Sequence, residues 1–98
     1  MRQEVLIQEL QDLAVQLGVT VRYERGDFEG GYCVLRATRM LLVNRRLTPG
    51  RKASVLAVGL HEMGLDDVFL KPALRAYIED EVARAVRETG STDPPGGP

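Results

Sequence analysis

The chain has few of the residues from which catalytic and metal sites are usually built. Its 98 residues include one cysteine, one histidine and no tryptophan, and aromatic residues make up only 5%. A single cysteine, Cys33, excludes an internal disulfide and is typical of a reducing compartment. A single histidine, His61, excludes any zinc site that takes two histidines from one chain. These absences leave few routes to enzymatic chemistry, and no cofactor is indicated.

Long apolar runs are also missing. No segment approaches the ~20 residues that cross a bilayer, and the first four residues lack the layout of a secretory signal. We therefore expect a cytoplasmic protein that does not bind membranes. With 44% apolar and 28% charged residues, the composition is typical of a folded globular domain. We predict one domain over residues 1–89 and a disordered Gly/Pro-rich tail over residues 90–98.

Hydrophobic periodicity predicts an α+β domain in the order helix, three strands, helix, helix. Residues 25–31 are rich in glycine and aspartate, which is typical of a loop, and a polar connection over residues 36–39 favours a β-hairpin. We expect a mostly antiparallel three-stranded sheet. The predicted elements are a helix over residues 4–17, strands over 19–24, 32–35 and 40–43, and helices over 49–63 and 72–88.

The second predicted helix has clear boundary signals. Thr48 is a good N-cap, and Pro49 suits the first helical position because the N–H that it lacks has no partner there. Val55 and Val58 lie nearly opposite the main apolar face, so this helix should be covered on two sides. Residues 66–70 should be extended or form a single turn, since Lys71 precedes a proline.

Charge is unevenly distributed along the chain. Residues 31–60 carry six basic and no acidic side chains, although the whole chain has a net charge of −1 and an acidic pI of about 5.8. This segment could bind phosphate or nucleic acid, or its cations could pair with the acidic residues that flank it. No recognition-helix pattern accompanies it. The candidate binding residues are Arg36, Arg39, Arg45, Arg46, Arg51 and Lys52.

His61 and Glu62 resemble the start of the zinc motif H-E-x-x-H. That motif places two histidines on one helix face and uses the glutamate to activate a water molecule, but here the second histidine position is Leu65. His61 and Glu62 are therefore weak metal candidates. The alternative is that His61 lies at the edge of the apolar stripe and Glu62 points to solvent.

Two other residues have structural and functional alternatives. Cys33 lies in a predicted strand, where a free cysteine usually acts as a small buried hydrophobe, whereas exposure beside Arg36 would favour a nucleophile. Phe28 is expected to form a lid over the core. We favour the structural role for both residues.

The segments "LAVQLGVTVRYE", "GGYCVL" and "LLVNRRLTPGRKASVLA" resemble the ImmA/IrrE-type zinc metallopeptidases of bacteria. The likeness covers roughly residues 10–65, and the pattern N-x-x-L-x-x-x-R matches at Asn44, Leu47 and Arg51. The pattern "RYE-x-GDF-x-GG-x-C" is also similar to small uncharacterised bacterial proteins. Both resemblances imply the α+β order given above.

The same resemblance implies that the metal site has been lost. The family's ligand, catalytic and ligand positions fall on Val58, Gly59 and Glu62, and neither valine nor glycine can supply that chemistry. We expect the third helix to pack over Val55 and Val58 and seal the cleft. The predicted function is a non-catalytic protein-interaction module that binds an unknown protein or itself as a homodimer. The alternatives are phosphate or nucleic-acid binding through residues 36–52 and residual zinc-dependent hydrolysis.

Overall fold

Six elements follow one another in the order that the periodicity predicts, which confirms the α+β class. The structure is a computed structural model and describes residues 2–89, so the predicted disordered tail lies outside the described residues. The elements are α1 (Gln3–Gln16), β1 (Thr20–Glu24), β2 (Gly30–Leu35), β3 (Thr38–Asn44), α2 (Pro49–Met63) and α3 (Pro72–Thr89).

The three strands form a mixed sheet in the order β1-β3-β2. β2 and β3 pair antiparallel, as expected of a hairpin, whereas β1 and β3 pair parallel. The parallel pair arises because the chain leaves β1 and returns as β2 without pairing to it. β3 then fills the space between them and runs in the direction of β1.

The hairpin turn is tighter than the polar connection 36–39 suggests. Leu35 pairs with Thr38, so Arg36 and Ala37 alone make the turn. Their φ angles are 52° and 67°, which is the two-residue turn whose twist matches that of the flanking strands. Neither residue is a glycine, asparagine or aspartate, which are the types that normally occupy such turns.

The core lies between one face of the sheet and helices α1 and α2. We call this the inner sheet face, and its central residues Leu41 and Val43 are both 0% exposed. α2 approaches it closely at Gly59, where a Cβ atom would collide with the Leu41 side chain. α3 packs on α2 through residues that include the buried Ile78. α2 is therefore covered on two sides, and the core that holds the sheet in place is formed by all three helices.

The predicted boundaries of α2 are confirmed. Thr48 Oγ1 accepts a hydrogen bond from the backbone N–H of Arg51 at 3.3 Å, and Pro49 occupies the first turn. Between α2 and α3 a single turn is closed by the Val68 N–H, which donates to Leu65 O at 3.1 Å. Within residues 2–89, no helix combines the length and the apolar character needed to cross a membrane.

Candidate interaction surface

The candidate basic residues fall at two separate ends of the sheet. Arg36 and Arg39 lie at the hairpin end of β3, whereas Arg45, Arg46 and the α2 cations follow its other end. A strand of seven residues that rises ~3.3 Å per residue separates these groups by about 20 Å. The structure therefore does not gather the basic segment into one patch.

Three of these six cations are engaged within the domain. Arg39 donates to the backbone carbonyl of Leu17. Arg51 donates to both carboxylate oxygens of Glu29, at 2.7 and 2.6 Å, and this hydrogen bonding raises the pKa of Arg51. Lys52 Nζ lies 5.8 Å from the centroid of the Tyr23 ring, within cation–π range. These contacts make the cations part of the packing of the domain.

The Tyr23 hydroxyl donates to Gln11 Oε1. Burial raises the pKa of Tyr23, so this phenol keeps its proton and remains a donor well above neutral pH.

His61 and Glu62 lie on different surfaces. His61 borders a hollow beside Asp66 and Glu79, whereas Glu62 faces a separate groove. In the part of the chain that the structure describes, no three His, Cys, Asp or Glu side chains are grouped so that they could hold a metal ion. The two residues that resemble a zinc motif are therefore not brought together with further ligands.

The expected seal over Val55 and Val58 is incomplete, which corrects the sequence-based hypothesis. A groove of about 170 Å³ remains between the start of β2, α2 and the last turns of α3. Its lining includes three glycines and an alanine from β2, α2 and α3. These small residues are Gly30, Gly31, Gly59 and Ala85.

The opposite side of the sheet carries an apolar strip. The register pairs Cys33 with Met40 and Leu35 with Thr38, and paired residues point to the same side. Since Leu41 and Val43 point inward, Met40 and Leu42 point outward. We define the outer sheet face as Phe28, Cys33, Leu35, Met40 and Leu42, which line one shallow hollow of about 450 Å³.

This face is exposed and apolar at once. Leu35 is 56% exposed and Phe28 is 37% exposed. Cys33 and Leu42 are partly buried, and Met40 is buried among its neighbours. A sheet that turns one face to water normally carries polar residues there. β1 follows that rule with Thr20, Arg22 and Glu24, whereas the middle of β2 and β3 does not.

Of the charged residues that border the strip, two form a salt bridge with each other and one has no such partner among the described residues. Arg22 Nη2 lies 2.6 Å from Glu24 Oε2, so these two residues largely neutralise each other. Arg25 borders the same hollow and has no salt-bridge partner within 4 Å among residues 2–89. The rim therefore has a net positive charge.

Asn44 fixes the loop that carries Phe28. Its side-chain amide donates to the backbone carbonyls of Gly26 and Phe28 at 2.7 and 2.6 Å, and its Oδ1 accepts from Arg46 N at 3.0 Å. Phe28 consequently lies beside Gly26 at the end of the outer sheet face, and the prediction that it covers the core is wrong.

Sequence reasoning missed both the outer sheet face and the role of Asn44. The signal for the face was present in "MLLV", residues 40–43, which is continuously apolar instead of alternating. Such a run is typical of a strand that is covered on both sides. In the structure, helices cover only one of them.

No protein-family profile matches this chain, and no curated protein or solved structure matches it significantly. The chain is an α+β domain whose mixed sheet packs against helices on one face and is open on the other. The resemblance to the ImmA/IrrE-type metallopeptidases stays a prediction.

Proposed function

We propose that this chain is a non-catalytic protein-interaction domain that binds its partner through the outer sheet face. The observation that carries the proposal is the apolar run of β3. Leu41 and Val43 fill the core, while Met40 and Leu42 in the same strand face outward beside the exposed Leu35. Contiguous apolar surface of this kind marks an interaction site, because leaving it in water is unfavourable.

Burial of this strip would supply the driving force for association. Covering apolar surface contributes roughly 25 cal/mol per Å², and the aromatic ring of Phe28 offers an anchor of the kind that dominates binding energies. The single cysteine is in keeping with a cytoplasmic location. A second copy of the chain is one partner that this surface could accept.

The alternatives have less support. Phosphate or nucleic-acid binding needs a cluster of unpaired basic side chains on one surface, whereas the basic segment is divided between two ends of the sheet. Zinc-dependent hydrolysis needs a ligand set that His61 and Glu62 do not complete. A metallopeptidase ancestry in which Val58 and Gly59 replaced the functional residues is consistent with a binding role.

The test is site-specific photocrosslinking in cells that produce the protein. A photoreactive amino acid replaces Leu35 on the outer sheet face or, as a matched control, Val15, which is 70% exposed on α1. We expect discrete protein adducts from position 35, including an adduct with a second copy if the protein self-associates. Position 15 should give none of these adducts.

The same adducts from both positions, or none from position 35, would contradict the proposal. Far-UV circular dichroism of both variants confirms that neither substitution has unfolded the domain, so a missing adduct reports on the surface itself.

A further inference from the structure

We propose that the partner contributes an amphipathic helix with acidic residues beside its apolar stripe, which lies along the outer sheet face. This inference rests on the proposed function, because it names the kind of element that the same surface binds.

The dimensions of the apolar strip fit one helix. The strip occupies β2 and β3, and two strands about 4.8 Å apart make a surface roughly 10 Å wide, which is the diameter of a helix. From Leu35 to Gly30, β2 extends about 17 Å at ~3.3 Å per step, and Phe28, two residues before Gly30, lengthens the strip to roughly 20 Å. A helix rising ~1.5 Å per residue covers that length with about 13 residues.

A second copy of the sheet fits less well. The strip is only two strands wide, whereas each partner of a stable interface between globular proteins buries about 800 Å². A face-to-face dimer would have to extend over the polar positions of β1, which include the neutralised pair Arg22 and Glu24. A helix can instead cover the apolar strip and leave this polar border in water.

The layered arrangement of the fold favours the same occupant. α1 and α2 cover the inner sheet face, and stable domains often place helices on both faces of one sheet. The apolar run of β3 over residues 40–43 has the composition of a strand in such a three-layer arrangement. A helix on the outer sheet face would complete the missing layer.

The charges at the two ends of the strip select an acidic partner. Arg25 borders the hollow near Phe28, and Arg36 lies at the hairpin turn at the opposite end. Both side chains are exposed, and neither has a salt bridge to any described residue. Carboxylates on the helix would meet a cation at each end, which favours encounter and fixes the position of the helix.

The experiment uses three synthetic 14-residue peptides. The first carries leucines at positions i, i+3, i+4 and i+7 with flanking glutamates, the second replaces each glutamate with lysine, and the third scrambles the acidic sequence. Isothermal titration calorimetry measures affinity, and the alkylation rate of Cys33, the single thiol, reports whether the outer sheet face is covered. We expect the acidic helix to bind at least about tenfold more tightly than either control, a difference of roughly 1.4 kcal/mol, and to slow alkylation.

Three variants make the result specific. Leu35→Glu places a charge on the strip at a position exposed enough to leave folding intact, and should abolish binding, whereas Val15→Glu on α1 should not change it. The double variant Arg25→Glu with Arg36→Glu should reverse the preference, so that the lysine peptide binds more tightly than the acidic one.

Equal binding of the acidic and lysine peptides would overturn the inference, as would binding that survives Leu35→Glu. If no peptide binds while crosslinks from position 35 persist, the helix is the wrong occupant and the proposed function stands. A concentration-dependent mass that Leu35→Glu abolishes would identify a second copy as the occupant and would also overturn the inference. Absence of both binding and crosslinks would remove the proposed function itself.

Discussion

The two faces of the sheet differ in what covers them, although the same strand supplies apolar residues to both. On the inner sheet face Leu41 and Val43 are 0% exposed beneath α1 and α2. On the outer sheet face Leu42 is only partly buried and Leu35 is 56% exposed. The outer sheet face therefore keeps apolar surface, mainly at Leu35 and Phe28, that the packing of the domain does not cover.

This difference separates what the fold needs from what it leaves available. A residue on the inner sheet face loses contacts on several sides when it is truncated, because protein interiors are packed as densely as organic crystals. A residue on the outer sheet face has neighbours within the sheet and water or a partner above it. The first kind of residue stabilises the domain, and the second kind can be changed to test binding.

The largest expected effect comes from comparing two adjacent leucines. Leu41→Ala should lower the free energy of unfolding by about 3 kcal/mol, because it removes buried methyl groups and leaves a cavity under Gly59. Leu42→Ala should lower it by only about 1 kcal/mol, since less buried surface is lost. Urea denaturation monitored by circular dichroism measures both values.

Leu42→Ala is the matched control for Leu41→Ala, because the same side chain is truncated one residue away in the same strand. Equal losses for the two variants would mean that the faces are equally packed, and would remove the basis for treating the outer sheet face as free. Loss of binding in Leu42→Ala without loss of folding would sharpen the distinction.

Much of the fold could be predicted because it depends on local patterns. Helical spacing located α1 and α3, and the cap formed by Thr48 and Pro49 located the start of α2. The parallel pairing of β1 with β3 could not be predicted, because strand order is set by which edges meet in three dimensions. No local sequence pattern shows whether β2 pairs directly with β1 or whether β3 lies between them.

The candidate site was less predictable for a physical reason. Six cations in residues 31–60 suggested one basic surface, but a strand of seven residues keeps its two ends about 20 Å apart. Three of the cations also contact residues that are distant in sequence, such as Arg51 with Glu29. Charge counted along a segment therefore says little about charge gathered in space.

The second prediction concerns Asn44, at the end of β3 where this strand contacts the loop that carries Phe28. Asn44 occupies an outward register position, yet it is only 8% exposed because its side chain bonds to the loop that carries Phe28. Asn44→Ala removes three hydrogen bonds and leaves carbonyl groups unsatisfied, which should destabilise the domain by about 2 kcal/mol. Thermal denaturation measures the loss.

The control for Asn44→Ala is Thr38→Ala, an exposed position on the same strand, which should change stability by less than about 0.5 kcal/mol. Asn44→Ala should also speed amide hydrogen exchange in residues 25–29. Unchanged exchange there would show that Asn44 does not hold the loop and that Phe28 is positioned by other contacts.

The smallest expected effect is a gain in stability at the hairpin turn. Arg36 and Ala37 both adopt positive φ angles, which cost non-glycine residues roughly 1 kcal/mol each. Arg36→Asn with Ala37→Gly supplies the preferred residues for this turn, and should stabilise the domain by about 1 kcal/mol after the added flexibility of glycine in the unfolded chain is counted. Urea denaturation measures the gain, and the single variant Arg36→Asn should give a smaller part of it.

Because the turn contributes no apolar side chain to the outer sheet face, Ala37→Gly alone should leave the affinity for the acidic peptide unchanged, whereas the double variant should weaken binding through the lost Arg36 charge. A double variant that is less stable than the parent would mean that the turn residues are held by contacts that asparagine and glycine cannot make.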